Sequence, residues 1–329
     1  MRDSPWIGGD GRLESTRAAR RVFLVLAVCA GASLVLARTD RASRAATTGA
    51  CSQTSEYAQQ ACQSGTQGDD SVALGKCANF TAPGPRKKCQ QDAALERRDA
   101  LALCDAQDDA REAVCSRLGQ SPYDPRIEPS NFVSTVNNPL FPLRPGTTYV
   151  YEGQTSHGFE QSEFAVTRNT RVILGVRCVE VRDRVWTDGE LTEDTLDWFA
   201  QDRDGNVWYF GENTHEFEDG LITTIDGTFR AGVDRDKPGI VMNARPAVGD
   251  FYRQEFSLAN AEDLAEVAAL DESVTVPAGS YAGCLRTRET SPLEPDLLED
   301  KFYARGVGNI LTVDVNTGDR VGLVRIVVE

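Results

Sequence analysis

Six cysteines between residues 51 and 115 constrain this chain more tightly than any other feature. Cys51, Cys62, Cys77, Cys89, Cys104 and Cys115 are spaced by 11, 15, 12, 15 and 11 residues, a series that reads the same in both directions. Eleven residues of α-helix turn through about 1100°, three turns and about 20° more. Cys51 and Cys62 therefore share one helix face, and so do Cys104 and Cys115. The segment from Cys89 to Gly119 is rich in Ala, Leu, Glu, Arg and Gln, contains no Pro, and ends in a glycine suited to a helix C-terminus. "GTQGDD" and "TAPGPRKK" are expected to break the helical pattern. Of the many pairings open to six cysteines, the mirror symmetry selects one nested set: Cys51–Cys115, Cys62–Cys104 and Cys77–Cys89. These would be rungs across an antiparallel helical hairpin over residues 51–118. Zinc and iron–sulfur sites need short C-x-x-C steps, and none occurs.

Disulfides require an oxidising compartment, and the N-terminus supplies a route to one. Arg17, Arg20 and Arg21 precede an apolar run from Val22 to Ala37. That run would reach about 24 Å as a helix, short of the about 30 Å of a bilayer core. A basic flank, a short apolar stretch and a small terminal residue make residues 1–37 a secretory signal, with cleavage expected after Ala37. Arg38, Arg41 and Arg44, in a basic spacer over residues 38–50, leave an uncleaved membrane anchor as the alternative. Arg20-Arg21-Val22-Phe23-Leu24 also resembles a twin-arginine export signal, against ordinary unfolded export. The expected location is extracytoplasmic: periplasmic, secreted or N-terminally anchored.

Charge narrows the partners. Residues 1–50 hold eight Arg and four acidic residues, a net +4; the whole chain carries −15, which leaves −19 beyond residue 50. A surface that negative repels phosphate backbones, so nucleic acid is not an expected partner.

Residues 119–146 contain six prolines and read as a linker without regular structure, packed against the next domain. From residue 147 to 329 the pattern changes to about eleven short alternating runs with turn signals and no long helix between them. The expected class is α+β: an N-terminal disulfide-linked helical hairpin, then an antiparallel all-β domain, a curved sheet or partly open barrel. "NAEDLAEVAAL" carries Leu264, Val267 and Leu270 at helical steps, and its type is left open between helix and strand. Cys178 and Cys284 each lie in an expected strand. They read as a bridge between distant strands or as two buried thiols, with a reactive nucleophile the third option.

Three stretches carry a resemblance: Asn138-Pro-Leu-Phe-Pro-Leu-Arg-Pro-Gly-Thr147, Asp197-Trp-Phe-Ala-Gln-Asp202 and Gly205-Asn-Val-Trp-Tyr-Phe-Gly-Glu212. On these the chain resembles a widespread family of bacterial exported proteins that has no agreed activity. The resemblance covers roughly residues 123–316 and implies the compartment, not a reaction.

The densest stretch is "DWFAQDRDGNVWYFGE", residues 197–212. With Asp204-Gly205 at the centre of a tight hairpin turn, Gln201 faces Trp208, Phe199 faces Phe210, and Asp197 faces Glu212. Ala200, Tyr209, Trp198 and Gly211 fall on the other side. Opposed carboxylates stand about 5 Å apart and repel. Either one keeps a proton, or a cation such as Ca²⁺ or Mg²⁺ lies between them, or Arg182 and Arg184 neutralise them in the core. "DRDGN" lacks the spacing of an EF-hand loop, and two histidines exclude a multi-His metal centre.

These residues support three functions. The leading expectation is a non-catalytic binding protein. Its ligand is small or lipid-like, or its partner an envelope protein, held through Trp198, Phe199, Gln201, Trp208, Tyr209 and Phe210. The rival is a hydrolase-type enzyme with Asp197 and Glu212 as acid and base. A third is a Ca²⁺- or Mg²⁺-binding structural protein using the same two carboxylates. No cofactor is expected.

Overall fold

The computed structural model describes residues 49–329; the expected signal sequence over residues 1–37, its expected cleavage point and most of the expected basic spacer lie outside the described residues. Two helices come first, α1 (Ala50–Ala78) and α2 (Pro83–Leu118). Three disulfides join them as the spacing requires: Cys51–Cys115, Cys62–Cys104 and Cys77–Cys89, with Cα separations of 5.6, 5.8 and 5.5 Å. Small side chains fill the seam between rungs, among them Ser55, Ala58, Thr66, Ala73 and Ala93. Ser55 Oγ donates to Asp108 Oδ1 at 2.7 Å across it. The expected break at "GTQGDD" does not occur: α1 runs through it, because the rungs on either side fix both helices over this span. Pro83 and Pro85 instead mark the reversal, where Pro at the first helical turn costs no hydrogen bond. No helix among the described residues is long and apolar enough to cross a membrane.

The linker is more ordered than its prolines suggested. It holds a single helical turn (Pro129–Asn131), a short strand β1 (Phe132–Val133) and an isolated bridge between Val136 and Leu143. Fifteen further strands complete the described chain. They are β2 (Thr147–Thr155), β3 (Gly158–Ile173), β4 (Val176–Thr187), β5 (Glu190–Asp202), β6 (Val207–Glu218), β7 (Leu221–Thr224), β8 (Phe229–Arg230) and β9 (Lys237–Met242). Then come β10 (Phe251–Arg253), β11 (Glu255–Phe256), β12 (Leu264–Val276), β13 (Gly279–Ser291), β14 (Glu294–Ala304), β15 (Gly308–Asp314) and β16 (Arg320–Val328). All pairings are antiparallel, in the path β10-β12-β13-β14-β15-β16-β2-β3-β4-β5-β6-β9-β11. The two ends of that path, β10 and β11, are separated in the chain by Gln254 alone. A sheet whose outer edges are covalent neighbours must curl back on itself, and this one is nearly closed and barrel-like. Gly239 makes the seam: a Cβ there would stand 2.3 Å from the Gln254 backbone.

The ambiguous segment is strand. Leu264–Val276 pairs with β13 along most of its length and with β10, and Leu264, Ala265 and Val267 are fully buried. Pairing and burial override its helix-forming composition. Cys178 and Cys284 do not bridge; both are buried free thiols. Their strands, β4 and β13, lie six steps apart along the sheet path, and they belong to different packing clusters. Burial pushes the Cys178 thiol up to about 12, which removes it as a nucleophile at neutral pH.

The arm meets the barrel through the C-terminal part of α2. Arg111 makes a bidentate pair with Glu262, Nη2–Oε1 2.7 Å, with both side chains buried. Gln107 Nε2 donates to the Leu293 carbonyl at 2.8 Å. Arg117 pairs with Glu266 at 2.7 Å and stacks 3.7 Å above the Phe251 ring.

Candidate functional site

The β5–β6 hairpin places the predicted residues, with one displacement. Asp197 faces Glu212 and Thr195 faces Thr214, as the turn register requires. Nearer the turn the register slips: Phe199 faces Tyr209, Ala200 faces Trp208 and Gln201 faces Val207. Two irregularities cancel. The loop holds three residues between Asp202 and Asn206, with Gly205 at φ 98°. Phe210 is then the extra residue of a bulge that restores the expected register at Gly211. Gly211 takes φ 144°, and a Cβ there would lie 2.4 Å from the Phe229 carbonyl oxygen, so only glycine fits.

The slip re-sorts the aromatic residues. Tyr209 joins Phe199 in the barrel core, their rings stacked at 4.8 Å between centroids. Trp208 and Phe210 lie on the opposite side with Trp198. The linker covers both faces. Phe141 packs on Phe199, Phe164 and Tyr303, whereas Phe132 packs edge-on against Trp208 and Phe210. Trp198, Phe199, Tyr209 and Phe210 are all buried, and each large apolar side chain so placed stabilises the fold by about 1.5–3 kcal/mol. Gln201 clasps the linker: its Oε1 accepts from the Asn137 and Asn138 amides at 2.8 and 2.7 Å, and its Nε2 donates to Asn137 Oδ1 at 2.9 Å. Asn138 Nδ2 reaches the Gly205 carbonyl at 2.9 Å. Asp202 accepts from Asn206 and from Trp208 Nε1 at 2.9 Å. The three sequence stretches thus lock one another at one end of the barrel.

Between the two carboxyl groups stands a tyrosine. Tyr209 Oη lies 2.5 Å from Asp197 Oδ1 and 3.1 Å from Glu212 Oε2, and Thr214 Oγ1 donates to the same Glu212 oxygen at 3.0 Å. The hydroxyl occupies the position that a shared cation would need. Among the described residues no group of three or more His, Cys, Asp or Glu is placed to hold a metal ion. Arg182 and Arg184 do not neutralise the pair. They alternate to the other face of β4 and pair with Asp194 and Glu163, while Asp183 between them faces Thr195.

Burial, and then the charge of Glu212, hold Asp197 well above the usual carboxylate range, against the Tyr209 hydrogen bond. Burial pushes Glu212 to about 8, opposed by the Thr214 hydrogen bond and reinforced by the charge of Glu193. One phenolic proton cannot serve two ionised carboxylates at once, and both carboxyl groups are shifted toward their protonated forms. The acidity extends through the interior. Burial raises Glu255 well above its ordinary value, helped by Asp263 and Glu212, and raises Asp263 to about 6. Burial alone would lower Lys301, but Glu289, at 2.7 Å, and Glu299 hold it charged.

The two carboxyl groups differ in access: Asp197 is buried and Glu212 half-buried. Asp197 is 7% exposed, and the strand-to-strand loop at Gly227 passes over Glu212. Asn260 fastens that loop by accepting from the Gly227 amide at 3.3 Å and donating to the Thr228 carbonyl at 3.0 Å. Grooves open elsewhere on the surface. One, of about 490 Å³ at the turn end of the hairpin, is lined by Asp204, Asn206, Asn243, Arg245, Asp250 and Tyr252, among others; another, of about 230 Å³, by Phe159, Gln161, Trp186 and Gly189. Neither is lined by Asp197, Glu212 or the six aromatic and amide residues expected to hold a ligand. Sequence reasoning missed the Asp204 and Asn206 groove, because its other wall is made by residues 243–252, remote in the chain.

No family model matches the chain, and no curated protein matches it. A solved structure from Parabacteroides distasonis, described as "a putative lipoprotein", is similar over 57% of this chain and 98% of its own, at 14% identity and a TM-score of 0.33.

Proposed function

We propose that this chain works outside the cytoplasm as a non-catalytic binding protein, with the barrel as a rigid platform and the arm and outer faces as contact surfaces. The nested disulfide ladder carries the reading. Such crosslinks persist in oxidising compartments and brace an element with too little core to stand alone. The resemblance to bacterial exported proteins belongs to the same reading. A general acid or base must touch its substrate, whereas Asp197 is buried under Tyr209 and packed aromatic rings. That favours binding over hydrolysis. With Trp198, Phe199, Tyr209 and Phe210 buried, a small or lipid-like ligand or an envelope partner would be taken from outside, at the barrel-end groove or along the arm.

Native mass spectrometry of the protein purified from its own cell envelope tests this. A lipid or envelope protein should co-purify, and should stay bound in the Asp197→Asn variant. Recovery from the cytoplasm with free thiols at the six arm cysteines would contradict the reading. So would turnover of a substrate that stops in that variant.

A further inference from the structure

The far end of the arm has a charge opposite to the rest of the protein. Residues 71–91 contain Lys76, Arg86, Lys87 and Lys88 and no Asp or Glu, in a chain that is −19 beyond residue 50; Asp69, Asp70 and Asp92 border the stretch, and Lys88 pairs with Asp92 at 2.8 Å in an exposed contact that lipid phosphate would have to replace. The first and third rungs are separated by 26 residues of α1, about 39 Å of helix. The contacts of Gln107, Arg111 and Arg117 with the barrel all lie between the second rung and the C-terminal end of α2, 15 residues or more beyond the third rung, so the basic end projects away from it. The reversal there is rigid. The Cys77–Cys89 bridge closes it, and Arg86 donates from Nε and Nη2 to the Phe80 carbonyl at 2.9 and 2.6 Å. This fixes the backbone of Phe80, whose side chain is 46% exposed, in the turn between Lys76 and Lys87, and Val72 and Leu74 are exposed on the preceding helical turns.

We infer that the arm tip docks on a bilayer surface carrying anionic phospholipid, with Phe80 entering the headgroup region and Lys76, Lys87 and Lys88 against the lipid phosphates. The inference rests on the extracytoplasmic binding role and names its partner. An exposed aromatic side chain in a turn flanked by lysines is the composition of an interfacial anchor. The end of a two-helix hairpin is narrow, a shape that suits insertion between headgroups. Charge complementarity selects anionic over neutral lipid. Because the bridge fixes the loop beforehand, little ordering is required on contact.

The test is partitioning of the full chain between buffer and vesicles, either phosphatidylcholine alone or phosphatidylcholine with phosphatidylglycerol. The N-terminal apolar segment contributes equally in every variant, so the comparison is between variants. Lys76→Gln/Lys87→Gln/Lys88→Gln should lose affinity for the anionic vesicles by about fivefold per lysine, with unchanged helix content. In Phe80→Trp, brominated lipid should quench fluorescence beyond the quenching of the parent chain. Unchanged partitioning of the triple variant, or no added quenching in Phe80→Trp, would overturn the inference. So would retention by a soluble polyanion without vesicle binding. Co-purification of an envelope partner alongside such a failure would leave the broader binding role standing.

Discussion

Tyr209 has one hydroxyl proton and two carboxyl neighbours. Removing that hydroxyl leaves Asp197 and Glu212 facing each other with nothing between them. Tyr209→Phe should therefore lower stability by about 1–3 kcal/mol, read as a shift in the urea midpoint, and the loss should grow at alkaline pH as Glu212 ionises. Gly211→Ala tests the bulge. Its positive φ and the approach of the Phe229 carbonyl should make it cost at least about 1–3 kcal/mol, whereas Gly220→Ala, in open space at φ 74°, should lose only the backbone term. The opposition of Asp197 to Glu212 was legible from the Asp-Gly turn because loop and bulge each added one compensating residue. The facing of Tyr209 was not. Nothing in "WYFGE" reveals that the 229–230 strand will lie against Gly211, and that approach decides where the extra residue goes.

The arm is the element most openly written in the sequence, because covalent rungs need matching steps and the steps match. Its docking was not legible. Arg111 and Glu262 are 151 residues apart, and no local pattern links them. That pair is buried, so Arg111→Ala leaves an uncompensated carboxylate and should destabilise the arm–barrel contact by about 3–5 kcal/mol. Hydrogen exchange should show faster exchange in residues 105–118 and 259–266, with the Cys77–Cys89 end unaffected. The linker misled in the other direction: its prolines interrupt ladders, yet Leu140, Phe141 and Leu143 pack into the core, since a proline-fixed backbone can still deliver side chains. Leu264–Val276 shows the limit of composition, as a strand already flanked by β10 and β13 has its conformation set by its neighbours.

For the whole molecule, interior acidity gives stability a direction with pH. Unfolded, Glu212 releases its proton near 4.5; folded, it keeps it to about 8. Its contribution is complete below pH 4.5 and is lost as pH climbs through 8. Asp263, shifted from 3.8 to about 6, acts in the same direction over a lower window, and Asp183, Asp197 and Glu255 are raised as well. Asp194, lowered by its hydrogen bond from Arg182, opposes them only in stronger acid. The urea midpoint should therefore be higher at pH 5.5 than at pH 8.5, each group contributing a slope of at most about 1.4 kcal/mol per pH unit; a midpoint that rises with pH would mean these carboxyls are solvated. The projecting arm presupposes a chain folded under oxidising conditions. The most direct test is a non-reducing peptide mass map of the protein taken from its own cells. The account predicts three linked pairs, Cys51–Cys115, Cys62–Cys104 and Cys77–Cys89, with Cys178 and Cys284 alkylated only after unfolding. Free thiols among the six, or any pairing that is not nested, would contradict it.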